Sequence, residues 1–241
     1  MRGALSVSIN ISGKNIKSKI KLGERVAVVE NIKYPYFESD TDKKLIEKMN
    51  SFYSSVAEKY SRFSHVKLIR KIKHKTDRIK LPVTLSMNYM TALCDENIVS
   101  IVLDLTFCEG KNVKTRRFSQ RWSFEKKDII SISEILSSDR KSLKTIYSRI
   151  LSIAEKNAEN SACGDFDDYK RKLERNLRFD CCFAVPNGLC FFVNAGVISP
   201  LKYGVNSFVV PYEELSEVIK WDFSEKSEQN TNQNADIVNN V

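Results

Sequence analysis

The chain has 241 residues, of which 42% are hydrophobic, 10% aromatic and 29% charged, with a formal net charge of +9. That composition supports a well-packed core and excludes a low-complexity or fibrous chain. The basic excess favours an anionic partner: nucleic acid, an acidic protein, a teichoic-acid-like polymer or an anionic membrane face. No stretch of about 18 consecutive apolar residues occurs, so no transmembrane helix is predicted. The N-terminal "MRGALSVSINISGKNIKSK" lacks the apolar run of about 7–15 residues of a signal peptide. The chain as written is expected to be cytoplasmic, or extracytoplasmic if an export segment precedes it.

Residues 1–23 are polar, basic and weakly patterned, and read as a loose or strand-like arm. "ERVAVVENIKYPYF" (24–37) reads as a strand followed by an extended Tyr-Pro segment, because Pro35 disfavours helix at Tyr34. Leu45, Met49, Phe52, Val56 and Tyr60 recur at helical spacing and predict an amphipathic helix over about 41–60, with Ser39 or Asp40 as its cap. The following "HVKLIRKIKHKTDRIK" (65–80) is basic without a clean period. It reads as a solvated connection between helix and sheet, with phosphate binding as the second reading and a weak membrane-surface helix as the third.

From Leu81 the period becomes two. Leu81, Val83, Leu85, Met87, Tyr89 and Leu93 share one face of a strand, with Thr84, Ser86 and Asn88 opposite. After a "CDEN" turn, Val99, Ile101, Leu103, Leu105 and Phe107 line one face of a second strand, with Ser100, Asp104 and Thr106 opposite. After an "EGKN" turn, "KNVKTRRFSQRWSFEKKD" (111–128) supplies the third strand of the meander. Lys114, Arg116, Phe118, Gln120, Trp122 and Phe124 fall on one face; Thr115, Arg117, Ser119, Arg121 and Ser123 fall on the other. Aromatics and the Arg117/Arg121 pair are thus on opposite faces, whereas a base-stacking platform needs them together. The aromatic face is expected in the core and the arginine face in water. Then come a helix over about 139–159, with Leu143, Ile146, Ile150, Ile153 and Ala154 as its stripe, and a helix in "CGDFDDYKRKLERNL" with Asp165 as N-cap. A hairpin turning at Pro186-Asn187-Gly188 follows, then a last strand entering a short helix at Pro211. The Asn/Gln-rich residues 222–241 are expected to be disordered.

Six cysteines, Cys94, Cys108, Cys163, Cys181, Cys182 and Cys190, are expected to be reduced, acting as small hydrophobes where they fall in apolar runs. His65 and His74 are the sole histidines, and no Cys-x-x-Cys pair occurs, so neither zinc nor Cys-His catalysis is expected. "GDFDDY" (164–169) lacks the distal ligand pattern of a calcium loop. "SGKN" (12–15) is not a P-loop, and no Gly-x-Gly-x-x-Gly or Gly-x-Ser-x-Gly is present. No enzymatic activity and no cofactor are expected.

The order of pieces over 24–221 resembles the RsiV-like domain family, shared by the ectodomain of the anti-sigma factor RsiV and the N-terminal region of the peptidoglycan deacetylase PdaC. The residues that carry the resemblance are "NIKYPYF" before the Asn-containing helix "LIEKMNSFYSSVAEKY", the hairpin "LSMNYMTALCDENIVSIVLDLTFCEG", and "WSFEKKDIISISEIL". The C-terminal "NLRFDCCFAVPNGLCFFVNAGVISPLKYGVNSFVVPYEEL" is the most specific of them. In place of the family's Gly-Gly-Ala-His motif stands "CEGKNVKTRR". The resemblance implies an α+β fold, a mixed, mainly antiparallel sheet with helices packed on it, and agrees with the periodicity. The implied organisation is an N-terminal arm (1–23), one domain (24–221, with a strand-helix part to residue 80 and a sheet-helix part from 81) and a disordered tail (222–241). It also implies a non-enzymatic binding or sensing module. Lysozyme, the RsiV ligand, is itself basic and a poor match for this charge. The expected partner is an acidic protein or anionic polymer, met through Lys71, Lys73, Lys75, Arg78, Arg117 and Arg121. A nucleic-acid-associated protein and an accessory domain of cell-wall metabolism are the alternatives.

Overall fold

A computed structural model of the chain describes residues 9–74, 79–159 and 166–221. Its centre is a six-stranded sheet in the order β1 (Asn10–Leu22), β2 (Arg25–Glu38), β3 (Val83–Cys94), β4 (Ile98–Glu109), β5 (Asn112–Ser123) and β6 (Asp128–Ile129). All neighbours are antiparallel except β2 and β3, which run parallel through Val28↔Val83 to Ile32↔Met87. A parallel pair needs a crossover connection. It is made here by α1 (Lys43–Phe63), a π-helical turn (Ser64–Leu68) and α2 (Ile69–His74). Within the segment expected as a loose or strand-like arm, Asn10–Leu22 is the edge strand of this sheet.

A second, antiparallel sheet holds β7 (Cys182–Val185), β8 (Gly188–Val193) and β9 (Asn206–Pro211). The described residues also form four α-helices, α3 (Ile132–Ile135), α4 (Arg140–Glu159), α5 (Phe166–Asn176) and α6 (Tyr212–Leu215), and a 3-10 turn at Leu201–Tyr203. The elements stack in four layers. Leu45, Ile46, Met49 and Tyr53 of α1 pack on Phe37, Val99, Ile101, Leu103 and Trp122 of the large sheet. The opposite face of that sheet meets the small sheet through Ala92, Val102, Phe183, Val185, Cys190 and Phe192. The far face of the small sheet, Cys182, Ala184, Leu189, Phe191, Phe208 and Val210, packs on Ile146, Ile150 and Ala154 of α4 and Tyr169 and Leu173 of α5. The fold is the expected α+β arrangement, with the meander β3–β4–β5 and the β7–β8 hairpin in place.

Local chemistry accounts for the boundaries. Asp139 caps α4: its Oδ1 accepts from the amides of Lys141 (2.9 Å) and Ser142 (3.0 Å), and these bonds with the Ser142 and Ser137 hydroxyls hold its carboxyl well below the usual range. Gly188 follows the hairpin turn, where a Cβ would meet the Val210 carbonyl oxygen at 2.3 Å, so only glycine lets β8 approach β9. Asn50 of α1 grips the backbone of β2, accepting from Phe37 N at 2.8 Å and donating to Phe37 O at 2.9 Å. That pair of bonds does for the end of β2 what a neighbouring strand would do.

Two expectations are corrected. The helix predicted to stop near residue 60 continues to Phe63, and residues 64–74, expected to be irregular, are helical with Leu68 and Ile72 buried. Charge dominates this stretch, but one apolar residue per turn on the inner face suffices to seat it. The expected caps and boundaries at Asp165, and the tail 222–241, lie outside the described residues, as does Cys163.

Candidate functional site

Arg117 and Arg121, expected on a solvated face, are buried, at 8% and 5% exposure. The face they share with Ser119 is the one covered by β7, so neither meets an anionic macromolecule. Arg117 lies opposite Asp104 in the β4–β5 register and binds it in a fork, Nε to Oδ1 at 2.9 Å and Nη2 to Oδ2 at 2.8 Å. Its Nη1 donates to Ser207 Oγ at 3.3 Å, and its backbone amide to Asn194 Oδ1 at 2.6 Å. Arg121 donates to the Cys182 carbonyl, which also accepts from Ser119 Oγ at 2.6 Å; the Ala184 amide donates to Ser100 Oγ at 3.1 Å. These bonds form a polar seam that fixes the small sheet on the large one. Burial pushes the Cys182 thiol up to about 11 and the Cys190 thiol up to about 12, with the facing arginines acting the other way. The aromatic face is core at Trp122, but Phe118, towards the other end of β5, is 43% exposed.

The basic surface lies elsewhere. Ile20 and Leu22 of β1 and Leu68, Ile69 and Ile72 of the π turn and α2 pack around Ala27, Val28, Val83 and Leu85. This small core brings two basic elements together at one end of the sheet. Lys67, Arg70, Lys71 and Lys73 project from the helical segment, and Lys17, Lys19 and Lys21 from the face of β1 turned away from it; all are exposed. Lys71 and Lys73 were expected here from the sequence; Lys75 and Arg78 lie outside the described residues. The β1 lysines were not singled out, although the alternation in "NIKSKIKL" carries their signal.

Beneath this surface sits a buried carboxylate. Glu30 of β2 is 2% exposed, between Ser18 of β1 and the end of α1. Its Oε2 accepts from Ser18 Oγ at 2.5 Å and Ser61 Oγ at 3.2 Å, and lies 3.2 Å from His65 Nε2. Ser61 and His65, four residues apart on a helix, share the face turned to it. Tyr60 stands alongside, its phenol pushed up to about 12 by burial and by the Glu30 charge. The π turn places His65 over the carboxylate; such turns recur where a helix carries a special side chain. The cluster ties edge strand, second strand and helix at one atom. Glu30→Ala is therefore expected to cost about 2 kcal/mol and to speed amide exchange in 64–74. Unchanged exchange there would show that the cluster does not hold the segment.

Among the described residues no group of three or more His, Cys, Asp or Glu is placed to hold a metal ion. No described helix is long and apolar enough to cross a membrane. Cys94, Cys108, Cys181, Cys182 and Cys190 are free thiols.

No protein-family model matches the chain, and no curated protein matches it significantly. Solved structures do. A DUF3298-family protein from Bacteroides fragilis superposes with a TM-score of 0.63 at 11% identity, over 91% of this chain and 98% of that one. A DUF3298-family protein from Pseudomonas aeruginosa gives 0.58 at 12% identity, over 90% and 96%. At these identities the likeness is one of fold: the chain has the α+β architecture of DUF3298 proteins, a family named for a domain of unknown function.

Proposed function

We propose that the chain is a non-enzymatic, RsiV-like binding module that recognises an acidic protein or another anionic ligand. The observation that carries this reading is the run of exposed cations Lys67, Arg70, Lys71 and Lys73 on the helical segment, beside an edge strand whose Lys17, Lys19 and Lys21 are exposed on the other face of the sheet. The nearby carboxylate, Glu30, is buried beneath the helical segment. Clustered exposed cations raise the local concentration of an anionic partner and quicken its approach. They also disfavour lysozyme, which is basic.

The test is recovery of partners by the tagged protein from its own host, with half of each sample treated with nuclease. Reversal of Lys67, Arg70 and Lys71 to Glu is expected to weaken capture of a protein partner by roughly tenfold or more and to flatten its salt dependence. Equal capture by the reversed variant overturns the assignment. Loss of every partner after nuclease favours the nucleic-acid reading instead, with the same surface as its phosphate contact.

A further inference from the structure

We propose that the outer edge of β1 docks an extended acidic segment of a partner protein, which adds a seventh strand to the large sheet. This rests on the anionic-partner reading and names the part of the ligand that is recognised. β1 pairs with β2 along its whole length, and among the described residues its other side has no neighbouring strand. The opposite edge of the sheet is the two-residue β6, so β1 is the long edge strand of the described residues. A bare edge presents a row of amides and carbonyls to any chain that can match it, and strand addition is a recurring mode of peptide recognition.

The side chains of β1 say which chain matches. Asn10–Leu22 carries Lys14, Lys17, Lys19 and Lys21 and no acidic residue. Lys17, Lys19 and Lys21 stand on one face, and Ile16, Ser18, Ile20 and Leu22, half-buried, on the other. Cross-strand neighbours share a face, so a partner strand meets lysines with every second residue and an apolar surface with the residues between. The complementary segment alternates Glu or Asp with Val, Ile or Thr. A second copy of β1 is disfavoured by the same rule, because matching its apolar faces sets lysine beside lysine. The lysines thus block self-pairing and select an acidic strand, which is specificity by repulsion as well as attraction.

The probe is a capped synthetic peptide, Glu-Val-Glu-Val-Glu-Thr-Glu, and its analogue N-methylated at alternate amides, which keeps the charges and removes donors from one edge. The full chain is expected to bind the parent peptide roughly tenfold more tightly than the analogue, with alternate amides of β1 newly protected from hydrogen exchange. A variant carrying Lys17→Glu, Lys19→Glu and Lys21→Glu is expected to lose the acidic peptide and gain the matching lysine peptide. Equal binding of parent and analogue with no protection on β1 overturns strand addition and leaves the anionic-surface reading standing. Binding of neither peptide, while the variant reversed at Lys67, Arg70 and Lys71 still captures its native partner, overturns both.

Discussion

Asp104→Ala is expected to destabilise the protein by about 3 kcal/mol, read from urea unfolding. The carboxylate holds the Arg117 guanidinium in a two-bond fork inside the seam between the two sheets. Without it the guanidinium keeps the bond to Ser207 and faces Phe183 across 5.9 Å, with no ion-pair partner among the described residues. Removing one member of a buried pair costs about 3–5 kcal/mol because the other charge stays desolvated. The lower end applies here: the Arg117 side chain is 9% exposed but that of Asp104 is 31%, so water reaches part of the pair. The double replacement Arg117→Met with Asp104→Leu is expected to recover most of the loss, since apolar side chains of similar size fill a seam flanked by Phe183 and Val102. The two changes are then strongly non-additive, the signature of a direct pair. A cost below about 1 kcal/mol for Asp104→Ala would place the pair with wet surface bridges instead.

That seam shows what the sequence held and what it withheld. Period two in 81–124 identifies three strands and separates their faces, and the structure keeps that separation except at Leu93, which a bulge after Thr91 pairs with Ser100 and turns to the opposite face. It does not say which face is covered, because alternation looks alike whether the second face meets water or another sheet. β4 meets α1 on one side and β7 on the other, so Ser100 and Val102 are as buried as Val99 and Ile101. A clue was present: the tight turn after Glu109 fixes a hairpin register that sets Asp104 opposite Arg117 and Ser100 opposite Arg121. A carboxylate facing an arginine on a strand whose other face is apolar is the pattern of a buried pair. Glu30 carried a similar mark, a lone acid in "VAVVENIKY". Its partner His65 comes 35 residues later on a π turn, and no local pattern links them. The helical character of 64–74 was hidden because two buried residues, Leu68 and Ile72, anchor a segment whose composition is otherwise basic.

Trp122→Ala is expected to cost about 4 kcal/mol, more than Asp104→Ala. Trp122 is 1% exposed at the centre of the core between α1 and the large sheet. Its ring meets Phe52 edge-on, with centroids 5.6 Å apart, and its indole Nε1 donates to Tyr53 Oη at 3.0 Å. Truncation opens a cavity and strands the Tyr53 hydroxyl, whose ionisation burial already pushes well up. Trp122→Phe separates the two terms. It keeps most of the ring contact and removes the donor, and an intermediate loss of about 2 kcal/mol is expected from urea unfolding. Adding Tyr53→Phe to Trp122→Phe removes the orphaned hydroxyl and should cost less than the sum of the single changes. Strict additivity would mean that the hydrogen bond adds nothing and that packing alone fixes α1. Either way α1 leads directly into the π turn and the basic segment, so this core sets where those cations stand without touching them. Trp122→Phe, once folded, should therefore bind the acidic peptide as tightly as the parent protein does, while charge reversal on β1 abolishes binding with little change in stability.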